Sequence, residues 1–239
     1  MPDTTSQSMS QTPEVQPKTG LLASVNSLQH WLDFGLDLLF PPRCAGCQRL
    51  DSYWCQRCQD TVNAIPLGVT VNQQPSLQAV AATATHADKL QQALWSLKYE
   101  NGKPVAPFLA QRLTAYLAQL NWRIDMIVPV PLHTSRLAQR GYNQAQLLAE
   151  GVARQTGIPC SPHALHRQRH TQSQVGLNAH ERQTNMEAAF TANHQLANQT
   201  LLLIDDVLTT GATLGACAQA ALDAGAQAVY GLTVTAAQA

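Results

Sequence analysis

The sequence predicts an α/β domain built on a mostly parallel sheet with helices on both faces, preceded by a small cysteine-rich module. Three observations predict it. Short, continuous aliphatic runs such as LLLI (201–204) read as strands buried on both sides. They alternate with helical segments, some closed by glycine, as parallel connections require. Cys44, Cys47, Cys55 and Cys58, four of the 6 cysteines, crowd into one short stretch.

A chain of 239 residues holds one sizeable α/β domain and an accessory unit. Lys and Arg number 15 and Asp and Glu 15, so no overall field draws the protein to nucleic acid or acidic lipid, and any polyanion contact is local. Residues 1–20 are polar, rich in Ser, Thr, Gln and Pro, and read as a disordered tail without a secretory signal. The aliphatic runs are too short for a membrane span, which predicts a cytoplasmic protein.

Leu21, Val25, Leu28, Leu32, Leu36 and Leu39 recur at helical spacing until Pro41-Pro42 ends the pattern. The opposite face carries aspartates and no Lys or Arg, which favours docking on the protein over lying on a membrane. A polar connector over 59–76 sets a boundary near residue 76, giving a tail (1–20), a helix with the cysteine module and connector (21–76), and the main domain (77–239). In that domain strands are expected over 77–85, 124–131, 201–205 and 228–237, and helices over 87–99, 104–120, 140–157 and 212–225. Cys217, in an alanine-rich helix, reads as a small buried residue. Residues 166–190 are polar, basic and irregular, and a connection this long is usually functional or mobile.

LLLIDDVLTTGAT (201–213) carries the chemistry. Ligands of open α/β sheets bind at the carboxyl ends of strands, which is where Asp205 and Asp206 fall. The loop that follows, Thr209, Thr210, Gly211, Ala212 and Thr213, offers hydroxyls and N–H groups at a helix start, a site for an anion. Carboxylates for sugar hydroxyls beside an anion loop suit a sugar phosphate. Taken singly, the aspartates would be helix caps and the glycine a turn. The whole ordered stretch resembles the phosphoribosyl-pyrophosphate (PRPP) signature of type I phosphoribosyltransferases. That resemblance implies that Asp205 and Asp206 are the catalytic pair and contact the ribose 2- and 3-hydroxyls, and that Thr209 to Thr213 hold the 5-phosphate.

A second set of stretches, VPVPLHTSRLAQRGYNQAQLLA (128–149), LKYENGKP (97–104), the cysteine module and residues 166–190, resembles the ComF family of amidophosphoribosyltransferase-like proteins, the competence-protein or GntX-like group. The likeness runs from about residue 36 to the end. It implies that the loop after the 124–131 strand, with Pro131, Leu132 and His133, contacts the pyrophosphate, helped by Arg136 and Arg140. It also implies that 166–190 is a hood bringing Arg167, Arg169 and Arg182 to the same group. The alternatives are solvated helix surface for the arginines, a surface or capping residue for His133, and a nucleic-acid-touching loop for 166–190. Lys98 and Tyr99 stand equally as a polar helix end or as ligand contacts.

Two CxxC pairs in tandem offer four thiolates to a tetrahedral ion, so Cys44, Cys47, Cys55 and Cys58 read as a structural zinc site. A redox pair, the competing reading, needs one CxxC opening a helix after a strand. The resemblance implies an enzyme that takes PRPP with Mg²⁺ and transfers phosphoribosyl to an unidentified acceptor. The alternative is a non-catalytic protein of the competence machinery that binds PRPP, nucleotides or single-stranded DNA. No cysteine lies near the start, so glutamine amidotransferase chemistry is not expected.

Overall fold

The computed structural model describes residues 41–100, 102–167, 189–193 and 196–237. The helix expected over 21–40 and most of the 166–190 segment, Arg169 and Arg182 included, lie outside the described residues. The chain divides into two units, Met1–Pro41 and Pro42–Ala239, and the described residues after Pro41 all lie in the second.

The strands are β1 (Ala79–Thr85), β2 (Met126–Pro129), β3 (Leu165–Arg167), β4 (Phe190–Ala192), β5 (Thr200–Leu208) and β6 (Ala228–Ala236). The helices are α1 (Gln56–Asn63), α2 (Asp88–Tyr99), α3 (Ala106–Leu117), α4 (Thr134–Arg140), α5 (Gln144–Thr156) and α6 (Ala212–Asp223), with a 3-10 turn at Lys103–Val105 before α3. The main sheet runs β1-β6-β5-β2 with every pairing parallel, and β3 and β4 form a separate antiparallel pair. Alternation along β5 sends its aliphatic residues both ways. Leu202 and Ile204 join the core with α2, α3 and α5, while Leu201 and Leu203 join the core with α6, β3 and β4. Helices therefore cover both faces, as the unbroken aliphatic runs imply.

Some boundaries differ from the sequence reading, each for a local reason. β5 runs on to Leu208 instead of stopping at 205, because β6 continues beside it and pairs Val207 with Thr235 and Leu208 with Ala236. The helix expected over 140–157 starts at Gln144, and a separate short helix, α4, precedes it over Thr134–Arg140. Gly141, at φ +78°, closes α4, and the Asn143 side chain accepts from the Ala145 N–H at 3.0 Å to open α5. The 124–131 strand shortens to Met126–Pro129, its pairing with β5 ending at Ile204. The flanks of the 166–190 connection are also more regular than expected, Leu165 pairing with Ala192 and Arg167 with Phe190. Cys217 is buried as the sequence suggests, and Phe190 is buried as well.

The cysteine module shares a core with the helices beside it. Cys44, Trp54, Cys58 and Val62 pack in one cluster with Leu90 and Leu94 of α2 and Leu109 and Leu113 of α3, and the Trp54 ring lies 5.5 Å from that of Phe108. Arg112 of α3, 5% exposed, staples this junction. Its guanidinium donates to the Val62 carbonyl at 2.9 Å, to those of Ile65 and Pro66, and to the hydroxyl and carbonyl of Thr83 in β1. A buried charge survives there because its donors are supplied with acceptors.

Candidate functional site

β2 stops pairing at Pro129 opposite Ile204, and the Val130 N–H closes the ladder on the Ile204 carbonyl at 3.0 Å. Asp205 and Asp206 are the next residues of β5. β2 leads on to α5 on one face of the sheet, and β5 leads to α6 on the other. Adjacent parallel strands whose connections depart to opposite faces leave a crevice beyond their carboxyl ends. The aspartates sit at that opening.

Asp206 is ion-paired with Lys98, from the last turn of α2, and its side chain is only 6% exposed. Asp205 accepts the Asp206 N–H on Oδ1 at 2.8 Å. Burial and then the neighbouring Asp206 charge hold the Asp205 carboxyl well above its usual range, with Lys98 opposing. Arg167, at the end of β3, lies 5.3 Å over the Phe190 ring. Burial lowers the Arg167 guanidinium below its ordinary value, Arg136 adds to that, and Asp205 opposes it. His86, just past β1, joins the group, its Nδ1 2.8 Å from the Thr235 hydroxyl. Burial and then Lys98 lower its pKa, against Asp206.

The anion loop follows directly. Thr209 and Thr210 are exposed, and Gly211 at φ +79° is the N-cap of α6. The positive φ favours glycine, and a Cβ here would also stand 2.5 Å from the flexible Gln74 side chain and make it shift; that side chain donates from Nε2 to the Thr210 carbonyl at 3.1 Å. The Ala212 N–H turns to the Thr210 hydroxyl at 3.3 Å. The first turn of α6 has no acidic residue and no side-chain cap, so an anion would meet its dipole unopposed.

Across the crevice, Pro131 and Leu132 occupy the loop after β2. His133 caps α4, its Nδ1 accepting from the Ser135 N–H at 3.2 Å. Arg136 and Arg140 share one face of α4 and line a cavity of about 560 Å³ together with Lys98, Tyr99, Gln139 and Tyr142. Arg140 lies 5.3 Å over the Tyr99 ring and donates to Gln144, and the Tyr142 hydroxyl donates to the Leu97 carbonyl at 2.5 Å. The fold thus gathers Asp205, Asp206 and the 209–213 loop at one rim, with the α4 arginines beside them. Lys98, which the sequence left undecided, connects the two. Gln74 and His86 were not anticipated at all. Their only signal is tertiary, since each meets the site from a segment distant in the chain.

At the cysteine module, each CxxC forms a tight turn. The Cys47 N–H donates to the Cys44 carbonyl, and Cys55 and Cys58 open α1. The four sulfurs lie within 4.8 Å of one another, with Cys47 and Cys55 Sγ at 3.6 Å. A tetrahedral ion with sulfur at about 2.3 Å needs sulfurs roughly 3.8 Å apart, so the set fits a metal. Gly46 has no room for a side chain, which would meet Cys58 Sγ at 2.8 Å. Burial raises the Cys44 thiol, but N–H groups of Cys55, Gly46 and Cys47 outweigh it and bring it to about 6. Burial and the surrounding sulfurs push Cys58 the opposite way. Four crowded thiols resist carrying charge together, a conflict that a bound divalent cation removes.

A parallel sheet opening at paired aspartates, a glycine turn into a helix and a four-cysteine module together define an α/β protein with a small cysteine module. No family model matches the chain. It is 31% identical over 185 residues to competence protein F of Haemophilus influenzae, covering 72% of this chain and 80% of that one. It is 30% identical over 193 residues to DNA utilization protein YhgH of Escherichia coli K12, covering 78% and 85%. The chain belongs to the ComF family. Among solved structures it is similar to the glutamine PRPP amidotransferase of B. subtilis, at 19% identity and a TM-score of 0.42, over 59% of this chain and 30% of that longer one.

Proposed function

We propose that the crevice binds PRPP and that the protein transfers its phosphoribosyl group to an unidentified acceptor, in DNA uptake or nucleotide metabolism. The observation that carries this reading is the placement of Asp205 and Asp206 where β5 outruns β2, followed at once by the uncapped start of α6. In this reading the carboxylates accept from the ribose 2- and 3-hydroxyls. The 209–213 loop holds the 5-phosphate through N–H and hydroxyl donors. The loop of Pro131, Leu132 and His133 with Arg136, Arg140, Arg167 and Arg169 receives the pyrophosphate as its bond to the anomeric carbon breaks. Magnesium bound with the diphosphate supplies further charge neutralisation. The names of the H. influenzae and E. coli relatives support a role in handling DNA.

Calorimetry with PRPP and Mg²⁺ tests the site. Binding is expected in the native protein and lost when Asp205→Asn and Asp206→Asn are combined; undiminished affinity in the double variant removes the assignment. Pyrophosphate release from PRPP, scanned over bases, amines and water, identifies the acceptor.

One observation favours the non-catalytic reading, single-stranded DNA binding. Trp95 and Tyr99, 59% and 61% exposed, meet on α2 with ring centroids 4.5 Å apart and planes tilted by 48°, and Arg140 lies over the Tyr99 ring. Exposed rings beside cations are what unpaired bases stack upon. A gel shift with a single-stranded oligonucleotide that Trp95→Ala and Tyr99→Ala leave unchanged would remove this reading.

The cysteine cluster is assigned to structural zinc. Elemental analysis of protein purified without chelator is expected to give close to one zinc per chain, and a metal-free, folded protein would defeat the assignment.

A further inference from the structure

Lys98 belongs to two sites at once. Its ammonium is ion-paired with Asp206, and the same side chain lines the 560 Å³ cavity with Arg136 and Arg140, which has no acidic residue among its lining. Asp206 is almost fully buried, so its carboxylate needs a cation, and Lys98 is the one that meets it. One ammonium cannot neutralise a buried carboxylate and a diphosphate in the cavity at full strength together.

We propose that Lys98 is a resident counter-cation that couples the two halves of the site. With the cavity empty it occupies Oδ2 of Asp206, keeping free divalent ions off the aspartate pair. A diphosphate entering the cavity draws the ammonium away and frees Asp206 for a sugar hydroxyl or a cation. The pair is thereby opened only when the anion is present, which protects the rim from metal binding without ligand. This rests on reading Asp205 and Asp206 as the ribose site. Lys98 acts as a positioning residue, through Asp206.

The test uses the full-length protein without PRPP. Mn²⁺ alone, followed by the paramagnetic resonance of the free ion, is expected to bind Lys98→Gln and Lys98→Met about tenfold more tightly than the native protein, since a full positive charge has left contact with Asp206. The gain is expected to vanish when Asp206→Asn is added to Lys98→Gln. Inorganic pyrophosphate, titrated calorimetrically with EDTA present, is expected to bind both single variants about tenfold more weakly. Lys98→Arg is expected to keep both native affinities within a few-fold. General damage to the fold would not raise an affinity, and two neutral variants guard against one failing to fold. Unchanged Mn²⁺ affinity in the folded neutral variants overturns the proposal, as does unchanged pyrophosphate affinity. Failure of the native protein to bind PRPP, with the Mn²⁺ gain intact, would sink the PRPP reading and leave the Lys98–Asp206 competition standing.

Discussion

Gly211 and Asp205 are held at this rim by backbone conformation and by burial. Gly211 stands at positive φ against Gln74, so Gly211→Ala meets backbone strain and a clash together. A loss of about 1–2 kcal/mol is expected in urea unfolding. Adding Gln74→Ala removes the clash but leaves the strained backbone, so only part of the loss should return. Full recovery in the double variant would show that the backbone conformation costs nothing. Asp205 titrates higher in the folded than in the unfolded state. Its protonated form therefore favours the fold, and stability is lost as pH rises through the raised folded value. Asp205→Asn is expected to unfold at higher temperature than the native protein at neutral pH, with the difference shrinking in acid. Equal melting temperatures across that range would contradict the burial argument.

At the scale of elements, the junction between the cysteine module and the sheet depends on Arg112 and on the four thiols. Replacing a buried ion pair by apolar side chains is often neutral, but the partners of Arg112 are backbone carbonyls that cannot be removed with it. Arg112→Met should take the Arg112 donor from the Ile65 and Pro66 carbonyls, leave Val62 and Thr83 with only their backbone donors, and lower stability by about 2 kcal/mol in a urea titration. Cys44 and Cys58 are both part of the core containing α2 and α3, so stripping a bound metal should be felt beyond the module. A chelator strong enough to remove zinc is expected to lower the melting temperature of the chain. It should do so far less in Cys58→Ser, which has already lost one ligand.

For the molecule as a whole, the functional rim is assembled by a sheet whose order brings the carboxyl ends of β2 and β5 together, while α2 enters from the β1 to β2 connection. A ligand that bridges these segments stabilises the folded state by mass action. PRPP with Mg²⁺ at about a hundred times its dissociation constant should add about 2.7 kcal/mol, visible as a raised melting temperature that Asp205→Asn with Asp206→Asn does not show. The aromatic pair on α2 lies on the same helix as Lys98, so events at the rim and on that exposed face share one rigid element.

The order of strands and helices, the parallel sheet with two covered faces, the cysteine cluster and the aspartate-loop stretch were legible along the chain, because each is written in local periodicity, in short-range spacing or in glycine punctuation. The strand end at Leu208, the break between α4 and α5 and the β3–β4 pairing were less so, since ladder partners and caps decide them. Pairing Lys98 with Asp206, seating Gln74 on Gly211 and burying Arg112 against the module required the tertiary structure. Their partners are far apart in sequence, and nothing in local pattern encodes which distant side chain a charge will meet once the chain has folded.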